Sequence, residues 1–321
     1  MRCLMLSNPN STSINEQVLR QAITPLRKVA ELHSVHTLHR GHAAELTRGV
    51  TRADFDVVVA VGGDGTVNEV LKGLLGNDPT ARPSAESLPR LAIIPTGSAN
   101  VFARALGFPN APGAAAEMLA EMLTPLTSRR LPVGLVNNHW FCVNAGFGLD
   151  AEVINQMDRI RSYGIPATPW HYSLVAFSAW RRLHRTPPHI HFEALTRDGD
   201  TVAGDVPIVI VSNTNPWTYA GPVPVVTNPE HRLEDGCSLY ALEDISGVGG
   251  FIAVMNAMGI PVNSLTRDRV DFRETRVDDA TKVTLTSKLP LKWQVDGEYA
   301  GKATELKIQT VPNAIDVICQ L

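Results

Sequence analysis

The chain has 321 residues, 44% of them hydrophobic and 19% charged, with a formal net charge of −3. That length suggests two domains with buried cores, and the near-neutral balance excludes the basic footprint of a nucleic-acid binder. Cys3, Cys142, Cys237 and Cys319 lack any metal or redox spacing, and no apolar run approaches the ~18 residues of a membrane span. The expectation is a cytoplasmic protein in a reducing compartment, with any membrane contact peripheral, at the inner face.

In chain order, residues 2–6 read as a strand ending in the turn cluster Asn8-Pro9-Asn10-Ser11. Residues 16–32 read as a helix that Pro25 should kink or end early. A second strand is expected at 34–38 and a short helix at 41–49. Val57 to Val61 then form a continuous apolar run, the pattern of a strand buried on both faces of a parallel sheet. Gly62, Gly63 and Gly65 follow, and Val67, Val70, Leu71, Leu74 and Leu75 recur at helical spacing until Gly76. Residues 91–94 form another buried strand, followed by Pro95-Thr96-Gly97-Ser98-Ala99-Asn100 and helices at 101–106 and 114–123. This alternation predicts an α/β domain with a parallel sheet.

After Arg129-Arg130 the pattern changes. Strands are expected at 131–136, 140–145, 190–194, 206–211, 238–241, 282–285, 291–295 and 305–309, giving a mostly β second domain, a sandwich. One helix stands out, with Thr168 as N-cap, Pro169 at its start, and Trp170, Leu174, Phe177, Trp180 and Leu183 on one stripe. Arg181, Arg182, His184 and Arg185 end it. It reads either as a packing helix or as an interfacial helix against anionic lipid. His33, His36, His39 and His42 recur every third residue, a spacing that gathers no metal site on a strand or a helix.

The chemistry concentrates in turns. The chain has no G-x-x-x-x-G-K-[ST], and the run from Gly63 lacks the third glycine of G-x-G-x-x-G. What stands instead is GGDGTVNE, residues 62–69: a buried strand, a glycine turn and a helix start, where backbone N–H groups and the helix dipole favour an anion. The turn at 95–100 has the same context. On a parallel sheet both would emerge at the ligand-binding carboxyl edge. Asp296-Gly297 and Asp235-Gly236, each taken alone, read equally as hairpin turns.

GGDGTVNE, the GSAN turn, the NPNS start, LEDG at 233–236 and VDGE at 295–298 occur in an order that resembles the diacylglycerol kinase catalytic-domain superfamily, above all its bacterial lipid kinases. Sphingosine and ceramide kinases belong there too, and NAD kinases share the fold and the GGDGT loop. The resemblance implies an ATP-binding α/β domain at 1–128, a β-sandwich lipid-substrate domain at 129–304, and a return of 305–321 to the first, with the site in the cleft between them. It implies ATP and Mg2+ as cofactors. Gly62, Gly63, Asp64, Gly65, Thr66, Val67 and Asn68 match the ATP loop. Gly97, Ser98 and Asn100 match a second nucleotide turn, and Thr37, more loosely, another nucleotide-contacting position. Asp64 would ligate the catalytic Mg2+ directly or through water, Glu298 would be the general base, and Asp235 would hold a structural Mg2+ with the carbonyls of Arg232 and Cys237. Val101 departs from the pattern, standing where many members carry an acid. The expected activity is phosphorylation of the hydroxyl of diacylglycerol or a related lipid alcohol at the membrane surface. A kinase for a soluble hydroxyl, as in NAD kinase, and a non-catalytic nucleotide-binding protein are the alternatives; a homodimer is left open.

Overall fold

The computed structural model describes residues 1–8, 16–148, 180–181, 187–260 and 264–320. Apart from Trp180 and Arg181, the stripe helix from Thr168 lies outside the described residues, as do Pro9, Asn10 and Ser11 of the first turn. The chain divides into two compact units. Unit 1 comprises Met1–Val133, Asn138–Cys142 and Val311–Leu321; unit 2 comprises Gly134–Asn137 and Val143–Thr310.

The elements run β1 (Arg2–Ser7), α1 (Glu16–Leu26), β2 (Glu31–His36), α2 (His42–Thr47), β3 (Val57–Gly62), α3 (Asp64–Leu75), β4 (Arg90–Pro95), α4 (Val101–Ala105) and α5 (Pro112–Leu123). There follow β5 (Ser128–Val136), β6 (His139–Phe141), β7 (Asn144–Phe147), β8 (Ile190–Thr196), β9 (Thr201–Val206), β10 (Ile208–Ser212), β11 (Thr218–Ala220), β12 (Val223–Val225) and β13 (Cys237–Leu242). The last are α6 (Gly247–Ala257), α7 (Ser264–Asp271), β14 (Glu274–Val295) and β15 (Glu298–Ile318).

In unit 1, β2, β1, β3 and β4 pair side by side, all parallel, and Val317 of β15 pairs parallel with Leu91 of β4. Val57 to Val61 are fully buried, as the unbroken apolar run predicts. α3 buries Val67, Val70, Leu71, Leu74 and Leu75, its 3.6-residue stripe, and ends at Gly76 with φ of 79°. Pro25 shortens α1: the helix closes at Leu26, six residues short of the expected end, and β2 begins at Glu31. Pro25 has no N–H to give the Gln21 carbonyl, and past Leu26 the chain continues only in turns, with the Lys28 N–H on the Pro25 carbonyl at 3.3 Å and the Val29 N–H on the Leu26 carbonyl at 3.1 Å.

Unit 2 is rich in antiparallel strands. β13 pairs with β10, β10 with β7, β7 with the end of β14, and the start of β14 returns to β13. Length makes this possible, since β14 spans 22 residues and shifts register between Thr286 and Leu291 and again between Trp293 and Gln294. Such irregularities bend a strand, so one element serves several neighbours. Four of the expected strands differ for local reasons. The strand expected at 140–145 divides into β6 and β7, that at 206–211 breaks at Pro207 into β9 and β10, and those at 282–285 and 291–295 merge in β14.

Candidate functional site

The two glycine turns of unit 1 leave the carboxyl ends of neighbouring strands, because Gly62 of β3 lies opposite Pro95 of β4. Their backbones touch. A Cβ on Gly97 would sit 2.7 Å from the Gly63 Cα, and one on Gly63 would sit 3.2 Å from the Gly97 Cα. No residue with a side chain allows that approach. Asp64, at the first position of α3, ties the turns together: its two carboxylate oxygens accept the N–H groups of Val101 and Phe102, each at 3.0 Å. It therefore caps α4 as well as opening α3. Its carboxylate oxygens are of the donor chemistry that fits Mg2+.

Asn100 is buried with φ of 50°. Its Oδ1 accepts the Gly97 N–H at 2.8 Å, while its Nδ2 donates to the Gly97 carbonyl at 2.8 Å and to Asn110 Oδ1 at 2.7 Å. That amide holds the turn; an asparagine tolerates the left-handed conformation the closure needs. Ser98 is exposed at the tip. In the first turn, the N–H groups of Thr66 and Val67 bond the Gly63 carbonyl at 3.0 and 3.2 Å. This removes the Thr66 N–H from the anion-facing donors expected of this turn. Gly65 lies in the first turn of α3, and Asn68 donates from Nδ2 to the Trp140 carbonyl at 2.7 Å. Val101, in place of the acid, is buried and meets Asp64 through its backbone.

Thr37 is buried just past β2, its N–H on the Ser7 carbonyl at 2.8 Å. The segment after it is fixed by a residue that sequence reasoning missed. Glu69 accepts the Gly41 N–H at 2.7 Å and the Ala43 N–H at 3.2 Å. Glu69 ends the GGDGTVNE motif, but partners more than 25 residues away leave no local trace. His39 lies in the connection between β2 and α2 and His42 and Glu45 on α2 itself, so ligand atoms of the three come within 4.8 Å of one another. His42 Nδ1 accepts the Leu38 N–H at 3.0 Å. That bond puts the neutral ring's proton on Nε2, so neither nitrogen of His42 offers a metal a lone pair.

In unit 2, Asp296 and Gly297 have φ of 46° and 82° and join Val295 to Glu298 in a two-residue hairpin. Consecutive positive values are the primed-turn geometry that Asp-Gly favours. Asp296 Oδ1 accepts the N–H groups of Val143 and Asn144 at 2.8 and 3.0 Å. A buried amide chain completes the brace. Gln294 Oε1 accepts the Gly297 N–H at 2.7 Å, Gln294 Nε2 donates to Asn144 Oδ1 at 2.6 Å, and Asn144 Nδ2 donates to the Trp217 carbonyl at 3.1 Å. Glu298 follows this braced turn and is exposed. Gln294 and Asn144 carried no sequence signal, because nothing local distinguishes a buried amide with long-range partners.

The LEDG turn does not fit a structural Mg2+. The Arg232 carbonyl accepts the Asp235 N–H, and Asp235 Oδ2 accepts the Arg232 N–H, both at 3.0 Å. Arg197 Nη2 donates to the Asp235 carbonyl at 3.0 Å and to its Oδ1 at 3.3 Å. A guanidinium thus already neutralises the carboxylate, whereas Mg2+ demands six oxygen donors in near-ideal octahedral geometry. Burial pushes the Cys237 thiol up to about 12, while the donor expected of this residue is its carbonyl. Burial also lowers the pKa of nearby His231, whose Nδ1 lies 2.8 Å from the Asp278 carbonyl.

The sequence model of the diacylglycerol kinase catalytic domain matches residues 2–128, the stretch that holds both glycine turns. Diacylglycerol kinase of Staphylococcus aureus strain bovine RF122 / ET3-1 is 26% identical over 305 residues, 91% of this chain and 85% of that protein. Its counterpart in strain JH9 is 25% identical over 311 residues, 94% and 87% of the two chains. A crystal structure of a diacylglycerol kinase from Bacillus anthracis strain Sterne aligns over 99% of this chain and 97% of its own, with a TM-score of 0.68 and 20% identity. A second structure from that strain gives 0.73 at 24% identity, covering 99% and 95%. At these identities the structures establish the fold. It is the expected one: a parallel α/β region followed by an antiparallel strand-rich region.

Proposed function

We propose, from the premise that the chain is a member of the diacylglycerol-kinase-like superfamily, that it is an ATP- and Mg2+-dependent lipid kinase acting on the hydroxyl of diacylglycerol or a related lipid alcohol. The observation that carries this reading is the pair of glycine turns locked together at adjacent parallel strand ends through Gly63, Gly97 and Asp64. Phosphoryl transfer depends mainly on positioning and charge stabilisation; the two immobilised turns would supply the first to a triphosphate, and the start of α3 with a bound Mg2+ the second.

In this reading the turns of residues 62–68 and 97–100 bind ATP, with Ser98 outward toward the nucleotide. Asp64 holds Mg2+, whose charge offsets that of the phosphate oxygens. Glu298 takes the proton of the acceptor hydroxyl as its oxygen forms the new bond to the γ-phosphorus. The bond from that phosphorus to the β–γ bridging oxygen breaks, and ADP leaves with the electron pair. A rigid two-residue turn ahead of Glu298 suits a base that must be placed within hydrogen-bond reach of the hydroxyl. No helix among the described residues is long and apolar enough to cross a membrane, so we assign the lipid encounter to the membrane surface.

The test incubates the full chain with labelled ATP, Mg2+ and a panel of diacylglycerol, sphingoid base, phosphatidylglycerol and NAD. Label in the lipid extract is the expected result. Label in NAD alone replaces the lipid with a soluble acceptor, and ATP binding with no turnover of any acceptor overturns the enzyme reading.

A further inference from the structure

We infer that Arg197 is the built-in cation of the LEDG turn, and that unit 2 folds and holds this turn without a bound divalent metal. The fold brings the groups together. Ala280 of β14 pairs with Thr196 on one side and with Cys237 on the other, so β8 and β13 flank β14 at one level. Residue 197 leaves β8 there, and Asp235-Gly236 enters β13 there. Two inter-strand spacings are about 10 Å, a gap an arginine side chain spans.

Both ends are anchored. Arg197 begins a tight hairpin in which the Thr196 N–H bonds the Asp200 carbonyl at 2.9 Å and the Asp200 N–H bonds Thr196 Oγ1 at 3.1 Å. Across from it, the Cys237 N–H donates to Thr310 Oγ1 at 2.9 Å, and that hydroxyl donates to the Ala280 carbonyl at 2.8 Å. Gly236, with φ of 95°, lies against Thr310 where a Cβ would meet its methyl carbon at 2.2 Å. The Asp235 side chain is 23% exposed and faces the guanidinium. The same Nη2 reaches both the carboxylate and the Asp235 carbonyl, two oxygens of opposite ends of one residue. A metal here would add a second cation beside an arginine that already balances the Asp235 carboxylate, and the two positive charges would repel. Arginine has the planar donor geometry to serve as such a fixed cation, and it never loses its charge in the working pH range.

Metal content and thermal melts test this on the full chain without nucleotide, so the result does not depend on whether the chain is a kinase. Wild-type protein dialysed against millimolar Mg2+ and gel-filtered retains no stoichiometric Mg2+, and its Tm in Mg2+ and in EDTA agrees within about 1 °C. Arg197→Gln lowers Tm in EDTA and gains a response to Mg2+ of about 2 °C, because the exposed carboxylate accepts a replacement cation. Adding Asp235→Asn to that variant abolishes the response, which locates it. One Mg2+ per wild-type chain that Asp235→Asn removes would overturn the inference. So would an Arg197→Gln protein that melts like wild type, or one that loses stability yet gains no response to Mg2+.

Discussion

The glycine turns of unit 1 and the aspartate–glycine turns of unit 2 reach rigidity by different routes. In unit 1 two backbones touch at Gly63 and Gly97, and the polar residues Asp64 and Asn100 bond N–H groups of the neighbouring turn or of their own. In unit 2 Asp296-Gly297 is a hairpin whose Gly297 N–H is held by Gln294 of its own strand, itself bonded to Asn144 of β7, and Asp235-Gly236 leads into β13 with Arg197, just past β8, against Asp235. Most polar residues of the four motifs thus bond the backbone, Asn100 and Asp235 within their own turns, and Asp64, Asn68, Glu69 and Asp296 in other segments. Ser98 and Glu298 are exposed at the outer ends of their turns. A motif's polar residue is therefore to be read as scaffold until its partners are counted.

The largest expected effect separates chemistry from bracing. Glu298→Gln should lower kcat by about 10²–10⁴-fold while ATP affinity and Tm stay at wild-type values; calorimetric ATP titration beside the labelled-lipid assay measures both. Wild-type turnover in this variant would remove Glu298 from the reaction. Next comes Asp64→Asn. An amide facing the two N–H groups of Val101 and Phe102 can accept from only one, so we expect about 2–3 kcal/mol of destabilisation in denaturant melts and loss of ATP binding. An Asp64→Asn protein of unchanged stability would break the contrast, since Asp64 would then have no bracing role.

Gly97→Ala tests the backbone contact itself. The added methyl must push the two turns apart, at a cost of about 1–3 kcal/mol, and ATP affinity should fall about 10-fold or more. The matching change in unit 2, Gln294→Leu, leaves the Gly297 N–H and the Asn144 amide without their partner. About 1–2 kcal/mol is expected, with faster hydrogen exchange at Gly297 and ATP affinity unaltered. If Gln294→Leu weakened ATP binding as much as Gly97→Ala, the two turns would not be independent devices.

The smallest effect concerns the returning segment of unit 1. Asp316 is paired with Arg52 at 3.0 Å and with Arg130 at 2.9 Å. Burial raises its carboxyl pKa, but hydrogen bonds from Arg130 and Arg52 outweigh that and leave it below the ordinary value. A depressed carboxyl contributes stability above its unfolded pKa, about 3.9, and loses it as pH falls through the folded value. Wild-type stability should therefore decline below about pH 4, and Asp316→Asn should flatten that decline while costing about 1–2 kcal/mol at neutral pH. Equal acid slopes in the two proteins would remove the pair from the account.

The amino-acid sequence by itself determined the parallel α/β region, the strand-rich second half, and the location of the turns at strand ends. Those follow from periodicity and from glycine, proline and Asp-Gly chemistry, which act over a few residues. It also named the segments in which nucleotide and base would be sought. Tertiary structure alone decided what each polar side chain in those segments does. The partners of Asp64 lie 37 and 38 residues away and those of Glu69 lie 28 and 26 away; one partner of Gln294 lies 150 away, and Arg197 meets Asp235 across 38 residues. Strand order and register set such distances, and a hydrogen bond to a distant strand leaves no mark on the residues next to it in the chain.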